Sequence, residues 1–381
     1  MKHTRPIPIA RHVIRGRTPR SSLRRFATAT DAAGQHQYQQ YQQQPPRQQQ
    51  FDNRVRIVEV GPRDGLQNEK KTIPLATKIE LIERLAKTGL TTIEAGSFVS
   101  PKWVPQMANS NEILSHVLSG KITSPGPIRY SFLAPNLRGL KDATAILDST
   151  TTTAPSSSNS SSKLAVFAAA TETFSQKNLN SSISASLNTF REVIAAAKQQ
   201  HQQQHQHPSP APIRVRAYIS VVLGCPFEGR DVDPHRVAEM ATDLLGMGAD
   251  EIALGDTTGM GTAPRTAGLL RCMAAAGIRS EDVALHFHDT YGQALVNTAV
   301  ALEHGIRTFD SAVAGLGGCP YSPGATGNVA TEDVVYFLES LGMETGVDLD
   351  AVADVGQWIT GQLGKANDSA VGKAVLGARK R

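Results

Sequence analysis

Two histidines one residue apart, His286 and His288, are the sharpest chemical signal in the sequence. They close a short apolar run, Val283–His288, of the kind that forms a strand. Residues two apart on a strand face the same side, so both imidazoles project together. Two such nitrogens, joined by carboxylate and amide oxygens, suit a divalent cation such as Mg2+ or Mn2+, with positions left open for substrate. Ligand type alone also allows zinc. Asp64 is the natural carboxylate ligand, and Arg63 beside it is a fixed cation able to bond a substrate oxygen on which charge develops. Asp256 and Glu94 fit three roles, as metal ligand, brace or base, and the sequence alone does not choose among them. Cys319 lies in Gly315–Asn328, a segment too rich in glycine to pack. That segment reads as a mobile flap with a thiol at its tip, placed to act as acid or base. Cys272, inside an apolar helical stretch, instead fits a small buried hydrophobe.

Residues this far apart in the chain need a scaffold to gather them. Apolar or β-branched runs occur at Val55–Val60, Thr91–Ala95, Arg129–Ala134, Leu164–Ala169, Arg214–Ser220, Glu251–Gly255, Val283–His288 and Arg307–Val313. Amphipathic stretches alternate with them, including Leu75–Thr88, Ile183–Lys198, Pro234–Gly246, Pro264–Ala276 and Gln293–Glu303. Strand and helix in alternation predict a parallel sheet, and eight strands predict an α/β fold closed as a (β/α)8 TIM barrel. The rival, an open doubly wound sheet, needs a phosphate-binding glycine fingerprint, which Gly61–Gly65 is not. In a barrel the chemistry sits at the carboxyl ends of the strands. The notable polar residues fall there in turn: Arg63 and Asp64, Glu94 and Ser97, Asn136, Thr171 and Glu172, Asp256, then His286, His288 and Asp289. Several carboxylates in one dry mouth repel one another, and a bound cation relieves this.

Composition places limits around that reading. The chain has 381 residues and a formal net charge of +5, with 40% hydrophobic residues. Residues 1–30 contain Lys2, seven arginines and no Asp or Glu, so the basic excess lies in this leader. The rest is slightly acidic, which speaks against nucleic acid as a partner. The leader's composition predicts a mitochondrial transit peptide, and hence the mitochondrial matrix. Residues 31–53 read as a disordered Gln-rich spacer, residues 54–350 as the catalytic barrel, and residues 351–381 as a short C-terminal helical extension with a basic tail. Low-complexity insertions, 149–162 and 199–212, interrupt the barrel, and the histidines of the second read as a solvated tract. No run of about 20 apolar residues occurs, so no membrane-spanning helix is expected. The three cysteines are too few for a disulfide scaffold.

Several segments resemble one family, the 3-hydroxy-3-methylglutaryl-CoA lyases: Val60–Lys70, Ser97–Met107, Leu223–Gly229, Leu254–Thr257, Asp289–Ala294, Val313–Tyr321 and Gly327–Asp333. The Gly-Gly-Cys-Pro flap is specific to the lyases; the Arg-Asp-Gly turn and His-x-His strand are shared with Claisen-type synthases of the same barrel class. The resemblance implies a divalent metal on Asp64, His286, His288 and Asn328, and an enolate-stabilising Arg63. It implies hydrogen-bonded support from Asp256, Glu94 and Glu332, and proton transfer by Cys319 or His286. Lys70 and Ser97, with Asn136, are the implied substrate-binding residues. The implied reaction is retro-Claisen cleavage of the acyl-CoA to acetyl-CoA and acetoacetate, by a homodimer. Phe287 stands where the family often has Cys, Ala253 where animal members have Ser, and Ala378–Arg381 lacks their Cys-containing tail.

Overall fold

Every predicted β-branched run forms a strand. They are Arg56–Glu59 (β1), Thr92–Ser97 (β2), Arg129–Leu133 (β3), Lys163–Ala169 (β4), Arg214–Ser220 (β5), Glu251–Asp256 (β6), Val283–Phe287 (β7) and Thr308–Ser311 (β8). All neighbours pair in parallel, and β8 returns to β1, closing the barrel in sequence order. In this computed structural model residues 53–151, 163–203, 213–318 and 326–379 are described. The leader, nearly all of the spacer, residues 152–162 and 204–212 of the insertions, and residues 319–325 with Cys319 lie outside them.

Helices cross between the strands on the outside: Leu75–Leu85 (α1), Ser110–Leu118 (α2), Leu137–Thr151 (α3), Glu172–Leu179 (α4), Ile183–Gln203 (α5), Pro234–Gly246 (α6), Ala263–Ala275 (α7), Ala294–Glu303 (α8) and Thr331–Ser340 (α9). Their apolar stripes pack on the outward residues of the sheet, as do Leu81, Phe190 and Leu244, all essentially inaccessible to water. Burying each such side chain stabilises the fold by about 1.5–3 kcal/mol. Two further helices, Leu349–Leu363 (α10) and Ala370–Ala378 (α11), follow the barrel. The turn between them reaches the mouth, where the Asp368 amide donates to the Ala314 carbonyl at 3.1 Å.

Three boundaries differ from expectation. The low-complexity runs are not wholly irregular, because α3 includes residues 149–151 and α5 continues to Gln203. Glutamine favours helix almost as well as lysine, so the tract extends a helix already nucleated by packing. Strand β2 runs two residues past Ala95, and its register with β3 shifts between Glu94 and Gly96. Strand β7 stops at Phe287, so His288 lies just beyond it, held by a bridge to Asn328.

Candidate metal centre

The first strand ends in a tight turn. The amides of Arg63, Asp64 and Gly65 all donate to the Val60 carbonyl, at 3.1, 2.8 and 3.1 Å, making one π-helical turn over Gly61–Gly65. Gly61 is required here, since a Cβ would come within 2.5 Å of Glu59 Oε1. That carboxylate oxygen accepts from the amides of Gly61 (2.8 Å) and Val313 (3.0 Å), tying the turn to the segment after β8. The turn delivers Arg63 and Asp64 to the barrel mouth, where a cavity of about 640 Å³ opens.

Arg63 is buried between two carboxylates. Its Nε donates to Glu94 and its Nη1 to Asp64, and its guanidinium lies 5.6 Å from the centre of the Tyr218 ring. Burial opposes this charge, but Glu94 and Asp64 outweigh it and raise the Arg63 pKa further. Asp64 is desolvated too, yet Arg63 and the two histidines hold its carboxyl well below the usual range. Glu94 is the inward residue of β2, and its other oxygen accepts from the Tyr218 hydroxyl at 2.9 Å. The bulge at Ala95 then reverses the alternation. Gly96 faces Ser110 and Phe132 on the helix side, and Ser97 lines the cavity.

Asp64, His286 and His288 converge so that one potential ligand atom from each lies within 4.8 Å of the others. His286 Nε2 is 3.8 Å from Asp64 Oδ2. Asn328 enters opposite His288, because the Asp289 amide donates to the Gly327 carbonyl (2.7 Å) and the Val329 amide to the Phe287 carbonyl (3.2 Å). Its Nδ2 donates to Asp64 Oδ2 (3.0 Å) and the Leu316 carbonyl (3.1 Å), while its Oδ1 is buried with no partner among the described residues. Gly317 makes room for this amide: φ is +105°, and a Cβ would lie 2.8 Å from Nδ2. Burial, with repulsion from His286, pushes the His288 pKa down to about 3, so the ring is neutral, as a ligand must be. Two imidazoles, a carboxylate and an orphaned amide oxygen fit a divalent cation. Replacing His288 by Ala is expected to weaken Mn2+ binding, measured by calorimetry, by at least about tenfold, since even outer-shell losses cost 10–100-fold. Unchanged affinity would remove His288 from the centre.

The cavity wall also includes Asn136, whose Oδ1 accepts from the Gly139 amide at 3.0 Å and so caps α3. Three expected residues stand elsewhere. Lys70 is exposed and absent from the cavity wall; Gln67 and Asn68 of the same segment take that place. Asp256 does end β6, but Glu251 and Ala253 point into the barrel, so strict alternation turns Asp256 outward. It is fully buried beneath the following loop, accepts from the Gly261 amide at 2.9 Å, and burial pushes its pKa up to about 6. Glu332, at the start of α9, accepts from the Ala314 amide through both oxygens, at 3.1 and 2.9 Å. It holds Ala314 at φ +57°, just ahead of the glycine-rich segment.

Burial pushes Glu332 up to about 8 from its ordinary 4.5. The folded chain therefore keeps a proton that the unfolded chain has released, and this contribution to stability, complete below 4.5, is lost as pH rises to about 8. Glu332→Gln cannot ionise, so its stability relative to the parent is expected to improve across that window in denaturant titrations. An identical pH slope in the two proteins would contradict the assignment.

Four buried residues that the sequence reading passed over complete the site: Glu59, Arg216, Tyr218 and Asp310. The last three face inward on β5 and β8; Asp310 accepts from Arg216 Nη2 (2.7 Å) and lies 3.2 Å from the Tyr218 hydroxyl, whose one proton it shares with Glu94. The available signal was charge at inward positions of otherwise apolar strands, which nothing but a partner inside the barrel explains.

Comparison with known proteins places this geometry among relatives. Residues 54–359 match the family described as HMGL-like. A Pseudomonas aeruginosa protein named 3-hydroxy-3-isohexenylglutaryl-CoA/hydroxy-methylglutaryl-CoA lyase is 52% identical over 85% of this chain and 97% of its own length. A mitochondrial hydroxymethylglutaryl-CoA lyase of Bos taurus is 46% identical over 85% of this chain and 90% of its own. Among solved structures, a hydroxymethylglutaryl-CoA lyase from Pseudomonas aeruginosa superposes with a TM-score of 0.75 at 51% identity, covering 86% of this chain and 99% of that one. An HMG-CoA lyase from Acinetobacter baumannii, in complex with coenzyme A and 3-methylmalate, gives 0.72 at 34% identity, covering 85% and 96%.

Proposed function

Since the chain belongs to the hydroxymethylglutaryl-CoA lyase family, we propose that it cleaves 3-hydroxy-3-methylglutaryl-CoA to acetyl-CoA and acetoacetate at the barrel mouth. The observation that carries this reading is the convergence of Asp64, His286 and His288 beside the Arg63–Glu94 pair. A purified sample given the thioester with Mg2+ or Mn2+ should release acetoacetate and acetyl-CoA in equal amounts; no release with either metal would overturn the reading.

Asp64, His286, His288 and Asn328 are the residues to hold the cation, which we take to be Mg2+ or Mn2+. Bound there, the cation supplies Lewis acidity that brings a tertiary hydroxyl within reach of deprotonation at neutral pH. Loss of that proton to water lets the C2–C3 bond break, its electron pair passing into the thioester as an enolate. Arg63 faces the mouth with a charge that Glu94 and Asp64 fix in place, and it stabilises the enolate oxygen without reorganising. A proton must then reach C2. His286 is a poor donor, because Nδ1 faces Asp310 and Nε2 faces Asp64. The acid is therefore assigned to Cys319, which follows Gly318 of the cavity wall in the sequence. Ser97 and Asn136 line the path of the acyl-CoA.

The Arg-rich residues 1–30 support import into the mitochondrial matrix, as do relatives named mitochondrial, although a Mus musculus relative is named cytoplasmic. A reporter fused to residues 1–30 should enter mitochondria, and a cytosolic reporter would count against the transit peptide.

A further inference from the structure

We propose that Asp310 is a positioning residue for His286, and that Arg216 holds Asp310 in place. The proposal rests on the functional reading only in treating the centre as a metal site. In the parallel register of β7 and β8, His286 and Asp310 are direct partners, so both face the barrel interior at one level. Asp310 Oδ2 lies 3.1 Å from His286 Nδ1. A carboxylate can only accept, so Nδ1 must carry the proton, leaving the Nε2 lone pair to face Asp64 and the metal.

The carboxylate itself has little freedom. Its Oδ1 accepts from Arg216 Nη2 at 2.7 Å, its Oδ2 lies 3.2 Å from the Tyr218 hydroxyl, whose one proton it shares with Glu94, and its side chain is inaccessible to water. Arg216 is anchored in turn, with Nε 3.0 Å from Glu251, which also pairs with Arg56 at the start of β1. An alternating chain of charges thus runs from the barrel floor to its mouth: Arg56, Glu251, Arg216, Asp310, His286. Such a chain of buried ions is expensive to desolvate, and packing of the strands alone would be served by apolar residues. Its mouth-side end falls on one ring nitrogen, which is what a chain that orients a ligand must do. His288 has no such brace, since its Nδ1 has no partner among the described residues. The two histidines are therefore not equivalent: His286 is preset, and His288 takes its orientation from the strand end and the metal.

Two measurements test this. In the metal-free wild type at alkaline pH, nitrogen NMR, with His286→Gln for assignment, is expected to show His286 as the Nδ1–H tautomer; an Nε2–H ring would overturn the proposal. In Asp310→Asn, calorimetric titration is expected to show Mn2+ affinity lowered about 10–100-fold. A merely structural Asp310 would lower the stability of the variant without moving either readout. Unchanged Mn2+ affinity in a folded variant would sink the idea, and if the variant fails to fold, the wild-type tautomer decides. A wild type that binds Mn2+ but does not cleave the thioester would refute the functional reading and leave both tests of Asp310 intact.

Discussion

Arg63→Met is expected to lose turnover by about 10²–10³-fold, the usual loss when one preorganised donor to a developing oxyanion is removed. The loss should fall on kcat more than on KM, because charge on the enolate oxygen exists only as the bond breaks. Methionine also leaves Glu94 and Asp64 without their shared cation, and unpairing buried charges destabilises by about 3–5 kcal/mol. Arg63→Lys separates the two effects. Lysine keeps one charge in the pocket but lacks the fork that reaches both carboxylates, so stability should recover more than turnover. Steady-state kinetics beside denaturant midpoints for both variants make the comparison. If Arg63→Met kept its kcat and changed only KM, the guanidinium would be a binding group and another cation would have to meet the enolate.

Cys319→Ser should lose turnover by about 10²–10⁴-fold while retaining fold and metal, in line with the removal of other acid–base groups. A hydroxyl is a far weaker acid than a thiol, though similar in size. Since both nitrogens of His286 face acceptors or the metal position, His286 is not expected to rescue the variant. Solvent exchange offers a sharper readout. In deuterated water the parent places one solvent-derived deuteron on the methyl carbon of acetyl-CoA, and the variant should release product only as fast as bulk water supplies that deuteron. A thiol alkylator should inactivate the parent, with substrate protecting it. Unchanged turnover in the serine variant would return Cys319 to a packing role and require a different donor.

Much of the fold was legible from local chemistry. β-branched runs alternating with amphipathic stretches can bury both faces of a parallel sheet only beneath helices, and eight of them close. The Arg-Asp turn after β1 and the two histidines at and just past the end of β7 were equally readable, because each depends on neighbours one or two residues away. Sidedness was not. The alternation that sends Glu94 into the barrel also sends Asp256 out of it, and a single extra residue at Ala95 returns Ser97 to the cavity. That bulge arises in the pairing of β2 with β3, and no residue of β2 alone announces it. Asn328 meets His288 only because two segments forty residues apart in sequence pair at the mouth. Asp310, Arg216 and Tyr218 acquire their meaning from one another across the closed barrel. What the sequence determined by itself was which residues can do the chemistry and on which strands they ride. Which of them face the mouth, and what fixes their protons, was decided by register and closure, since a one-residue slip between strands turns every side chain to the opposite face.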